Sequence, residues 1–145
     1  MENNRALQGG AGPSEREIRI DDESDILVAR SFARDIGAMA GFDDVDLTLI
    51  STAVSELARN ILDYARRGEV RLRLLDDGGR RGIAIVASDE GPGIPDIEAA
   101  MQDGFSTGGG LGLGLPGTRR LTDEFEISSG PDGTVVEARK WVLPP

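Results

Sequence analysis

In the first part of the chain the apolar positions recur every three or four residues. Between Glu23 and Ala40 they fall at Ile26, Leu27, Ala29, Ala33, Ile36 and Ala40, a helical pattern that runs out near Gly41. Asp43 or Asp44 can cap a second helix, predicted to reach about Ala65 with Leu47, Ile50, Val54, Leu57, Ile61 and Tyr64 as its buried stripe. Arg66-Arg67-Gly68 is expected to close that helix with basic residues and a glycine. Ahead of both helices, Ser14 to Asp21 contains the alternation Glu17-Ile18-Arg19-Ile20, which predicts an edge strand.

After Gly68 the period changes to two. Glu69 to Leu75 alternates, Asp76 to Arg80 reads as a turn, and Gly82 to Ser88 is a more continuous apolar run; together they predict a β-hairpin. Pro95 to Met101 is expected as a short helix, Gln102 to Gly110 as a mobile glycine-rich stretch, and Leu111 to Thr122 as a helix opened by glycines. Glu124 to Ser129 and Thr134 to Val142 predict a second hairpin around Gly130-Pro131-Asp132-Gly133. Strand pairs joined by short turns imply a mixed, mainly antiparallel sheet with helices on one face, an α+β two-layer sandwich. No internal repeat is visible. Residues 1–13 are polar and Gly-rich and are expected to form a flexible tail, with one domain over 14–145.

Charge narrows the function. The 145 residues carry a net charge of −10, which disfavours nucleic acid and an anionic membrane surface as partners. The chain has no cysteine and no histidine, so disulfides, thiolate metal sites and histidine-based triads are excluded. It shows no membrane-length apolar run and no apolar core of a signal peptide, so a cytoplasmic protein is the expectation.

Three segments carry candidate chemistry. Glu56 and Asn60 lie four apart on the second helix and share a face at the rim of its buried stripe, roughly 90 to 130° from the stripe centre. A carboxylate there can serve as a general base, and the amide oxygen beside it can ligate Mg²⁺. Asp89-Glu90-Gly91-Pro92-Gly93 follows an apolar strand; its first carboxylate can accept from an exocyclic amine such as that of adenine, and the glycines let backbone pass close to a flat ring. Gly108 to Gly117 interleaves glycine and leucine, so that backbone N–H groups can face a phosphate at a helix start. Each segment also has an ordinary reading: solvated polar residues on a helix, a plain turn, and a linker, the last opposed by its leucines. Gly112, Gly114 and Gly117 match a dinucleotide-binding pattern, but they follow a loop and precede an antiparallel hairpin, which is the wrong context. No P-loop motif is present.

In order and spacing the segments resemble the GHKL superfamily of gyrase, heat-shock chaperone ATPases, histidine kinases and MutL. Val54-Ser55-Glu56-Leu57-Ala58-Arg59-Asn60 is similar to the N box, Asp89-x-Gly-x-Gly to the first glycine box, Gly110-x-Gly-x-Gly to the second, and Gly133-Thr134 to a later Gly-Thr element. The likeness spans roughly Ser14 to Val142. Ser55 to Ile61, Gly104 to Leu121 and Asp123-Glu124-Phe125 look most like the RsbT-type serine/threonine switch kinases of bacterial stress signalling.

The resemblance implies a Bergerat fold, ATP with Mg²⁺, and phosphoryl transfer to a serine or threonine of a STAS-domain partner in a stressosome. It further implies a released form that activates an RsbU-type phosphatase. Carried over by residue, Asn60 would hold Mg²⁺, Asp89 would read the adenine amine, and Gly91 and Gly93 would shape the base pocket. Gly110, Gly112 and Gly114 would lie against the phosphates, Glu56 would be the catalytic base, and Thr134 would support Asp89 or a water beside the base. An anti-sigma factor acting mainly by sequestration shares the same fold and is the alternative. An ATPase module of a dimeric machine fits less well, because the chain is too short for a transducer domain, and a histidine kinase lacks here its histidine.

Overall fold

The computed structural model describes residues 14–94, 96–102 and 114–144. The elements run β1 (Glu15–Ile20), α1 (Glu23–Ala40), α2 (Asp44–Tyr64), β2 (Gly68–Asp77), β3 (Arg80–Asp89), α3 (Ile97–Ala100), α4 (Gly114–Leu121), β4 (Glu124–Gly130) and β5 (Gly133–Trp141). The expected tail over 1–13 and most of the expected glycine-rich stretch, residues 103–110, lie outside the described residues.

The five strands form one sheet in the order β1-β2-β3-β5-β4. All four pairings are antiparallel, so the mixed sheet expected from the sequence is antiparallel throughout the described residues. β1 lies at one edge, as the alternation predicted. Residues Ile18, Ile20, Val70, Leu72, Ile83, Ile85, Val136 and Ala138 are buried and belong to one face of their strands. Against that face pack Ile26, Ala29, Ala33 and Ile36 of α1 and Ile50, Val54, Leu57 and Ile61 of α2. Burying one such side chain contributes about 1.5–3 kcal/mol, so this two-layer core is what fixes α2 relative to β3.

Local chemistry sets the helix ends. Asp22 caps α1: its carboxylate accepts from Ser24 N and Asp25 reaches back to the cap backbone. Asp43 caps α2 by accepting from Asp46 N at 2.9 Å, which settles the choice between Asp43 and Asp44. α1 turns out at Gly41, whose N–H returns to Ala38 and Gly37.

Three expectations shift. Gly68 does not close α2; it opens β2, where a Cβ would stand 2.4 Å from the Ser88 carbonyl, and the left-handed residue after the helix is Arg66 at φ 74°. The hairpin turn shrinks to Gly78-Gly79, because Asp76↔Arg81 and Asp77↔Arg80 still pair. Leu27, counted with the apolar stripe of α1, is 63% exposed; it lies about 100° around the helix from Ile26, on the side away from Ala29, and so faces out of the core.

Candidate active site

Sheet register builds one end of the site. Asp89 pairs with Thr134, and Thr134 with Ser129, so the three form a row across β3, β5 and β4. Asp89 Oδ1 accepts from Thr134 N at 3.2 Å and from Gly91 N at 3.0 Å. The carboxylate thus fastens its own glycine loop to the neighbouring hairpin. Ser129 Oγ accepts from Ile94 N at 2.7 Å and lies 2.6 Å from Thr134 Oγ1. Its two glycines have no room for side chains. A Cβ on Gly91 would stand 2.5 Å from Ala65 Cβ at the end of α2. Gly93 has φ +86°, and a Cβ there would meet the Gly130 carbonyl at 2.3 Å, so only glycine fits both the conformation and the space.

Helix α2 supplies the facing wall. Leu57 and Ala58 are buried, while Glu56 and Asn60 sit half-buried at the edge of the same helix, on the side of α4. Glu56 Oε1 accepts from Gly114 N, the first residue of α4, at 3.2 Å. A carboxylate at a helix start is favourably placed, and so is any other anion that would take the same N–H group. Asn60 Nδ2 is buried and has no hydrogen-bond partner among the described residues. An amide left in that state costs about 1–3 kcal/mol unless a ligand or water completes it. Beside it Arg59 donates to Glu23 Oε2 of α1 at 2.8 Å, and this hydrogen bond raises the guanidinium's pKa and ties α2 to the start of α1.

Between the two walls lies a cavity lined by Leu57, Asn60, Ile61, Asp89, Leu115 and Thr134, among others. It is partly open, and a water-sized sphere can move within about 20 Å³ of it. The structure therefore brings Asn60, Asp89 and Thr134 to one cavity, sets Gly91 and Gly93 in the loop that closes it, and joins Glu56 to Gly114. Gly110 and Gly112 lie outside the described residues. The sequence reading missed Ser129, Ile94 and Leu115. Ser129 had a signal: Phe125, Ile127 and Ser129 alternate inward along β4, so it shares the core-facing side.

Residues 21–140 match the family model of the histidine kinase-like ATPase domain. The chain belongs to that family. The GHKL resemblance read from the N box and glycine boxes is thus correct, and so is the α+β sandwich. The serine/threonine-protein kinase RsbT of Bacillus subtilis (strain 168) is 50% identical over 126 residues, covering 86% of this chain and 95% of that protein. The anti-sigma F factor of Caldanaerobacter subterraneus subsp. tengcongensis is 35% identical, covering 77% of this chain and 85% of that protein. The histidine kinase domain of the Erythrobacter litoralis EL346 blue-light activated histidine kinase aligns over 93% of this chain and 71% of its own, with a TM-score of 0.47 and 21% identity. Among the described residues of this histidine kinase-like ATPase domain, no helix is long and apolar enough to cross a membrane.

Proposed function

We propose that this domain is a Mg²⁺- and ATP-dependent protein serine/threonine kinase that phosphorylates STAS-domain partners in the cytoplasm. In its released form it activates a partner phosphatase of the RsbU type. The observation that carries this reading is the joint placement of Asn60, Asp89 and Thr134 around one cavity, in a chain half-identical to a serine/threonine kinase.

The residues divide the work. Asp89 uses Oδ1 to hold Gly91 and Thr134, which leaves Oδ2 to accept from the adenine amine. Asn60 fits a site for nucleotide with Mg²⁺: its Oδ1 is the kind of hard oxygen the ion takes beside phosphates and waters, and its Nδ2, a donor without a partner among the described residues, would be completed by a phosphate oxygen or a metal-bound water. That ion, when bound, neutralises phosphate charge. Gly114, with Gly110 and Gly112, offers backbone to the phosphates. Glu56 takes the proton of the partner's hydroxyl as its oxygen bonds to the γ-phosphorus and the bond to the bridging oxygen breaks, releasing ADP. A net charge of −10 is no obstacle, because the groups facing the phosphates are backbone N–H and a cation.

Incubation with γ-labelled ATP, Mg²⁺ and a candidate STAS protein tests the reading. Label on a STAS serine or threonine is the expected result. Tight capture of a sigma factor with nucleotide bound but no transfer would favour instead the sequestering module, the reading that similarity to anti-sigma F factors supports.

A further inference from the structure

Ser129 lies behind the cavity, not among its lining residues, yet it touches two groups that shape it. Its Oγ accepts the Ile94 N–H at 2.7 Å. Its own proton has one acceptor within reach among the described residues, Thr134 Oγ1 at 2.6 Å. Thr134 is buried and lines the cavity. The pair can share its proton in either direction. If Thr134 donated to Ser129, the Ser129 oxygen would accept twice and its proton would find no partner. If Ser129 donates, the bonds run one way, from Ile94 N–H through Ser129 to Thr134, and each polarises the next. Thr134 then has its own proton free to point into the cavity.

From this we infer that Ser129 is a positioning residue for purine selection. By holding Thr134 as a hydrogen-bond donor next to Asp89, an acceptor, it makes the cavity match the Watson–Crick edge of adenine. Adenine presents an acceptor at N1 beside a donor at N6. Guanine presents the reverse, an N1–H donor beside an O6 acceptor, and would leave both protein groups unpaired. A site built to hydrogen-bond a ligand rejects its mismatched analogue strongly, because the buried groups lose their partners. Ser129 does this without touching the base. It rests on the nucleotide reading of the cavity and adds the direction of one proton to it.

Calorimetric titration of the wild type and of Ser129→Ala with the Mg²⁺ complexes of ATP, GTP and 1-deaza-ATP tests this. The last lacks the N1 acceptor. The wild type should bind ATP more tightly than either of the others. Ser129→Ala should weaken ATP roughly five- to tenfold, the scale of one hydrogen bond, while 1-deaza-ATP is unchanged and the preference over GTP shrinks. Equal loss for ATP and 1-deaza-ATP would mean that Ser129 only supports the loop, and would overturn the inference. If the variant fails to fold, the wild type decides alone: equal affinity for ATP and 1-deaza-ATP overturns it. A wild type that binds none of the three overturns the nucleotide reading as well. A wild type that prefers ATP, with the same preference kept in Ser129→Ala, overturns only the role of Ser129.

Discussion

The two ends of the cavity are finished to different degrees. At the Asp89 end the protein satisfies itself: one carboxylate oxygen holds two backbone N–H groups, and Ser129 links the glycine loop to Thr134. At the Glu56 end, among the described residues, there is one bond of 3.2 Å to the start of α4 and an amide nitrogen with no partner. The first end is therefore shaped before any ligand arrives. On the proposed function, the second end would offer its polar groups to phosphate, metal and hydroxyl, where charge changes during transfer. Preorganisation would then serve recognition of a flat, unchanging base, and uncommitted groups the chemistry.

Breaking the uncommitted end should have the largest effect. Asn60→Ala is expected to abolish Mg²⁺·ATP-dependent transfer, read as label on the protein acceptor, while the melting temperature holds or rises because an unpaired buried amide is removed. Glu56→Ala should lower the transfer rate roughly 10²- to 10⁴-fold and keep nucleotide binding. It also removes a carboxylate from the start of α4, so ATP affinity measured by titration should not fall.

Breaking the preorganised end should act on binding and on the fold together. Asp89→Ala leaves the N–H groups of Gly91 and Thr134 without their acceptor. ATP affinity is expected to fall roughly 10- to 100-fold, from one to three kcal/mol of lost hydrogen bonding, and chemical denaturation should show a less stable domain. The contrast with Asn60→Ala is the point: one variant costs chemistry without stability, the other costs both.

Much of this was legible in the sequence, and the reasons are local. Helix α1 is legible from Glu23 to Ala40 because its 3.6-residue apolar period runs out at Gly41, although its cap, Asp22, goes unnoticed there, and α2 is legible because its stripe from Leu47 to Ile61 is unbroken. The candidate site residues Glu56, Asn60 and Asp89 are visible in the sequence as motif positions. What was not legible depended on contacts between distant segments. Gly68 looked like a helix terminator, but its lack of a side chain answers to Ser88 across the sheet. Ser129 belongs to no motif, and only the register of β4 against β5 places it beside Thr134. Leu115 was one of several interleaved leucines until α4 was packed on α2.

The smallest effect should come from a helix cap remote from both ends. Asp43→Ala removes the acceptor for Asp46 N at the far end of α2 and should cost about 1 kcal/mol of stability, with ATP affinity and transfer rate unchanged. A change in transfer would mean that the fastening of α2 reaches its Glu56–Asn60 face, and the two ends would be less independent than their contacts suggest.

The most direct measurement is ATP affinity with and without Mg²⁺, by titration calorimetry, for the wild type and Asn60→Ala. If Asn60 Oδ1 takes Mg²⁺ together with the nucleotide's phosphates, Mg²⁺ should tighten ATP binding in the wild type, and most of that gain should vanish in the variant. An equal gain from Mg²⁺ in both proteins would contradict the account, because the Asn60 side chain would then have no part in holding the metal.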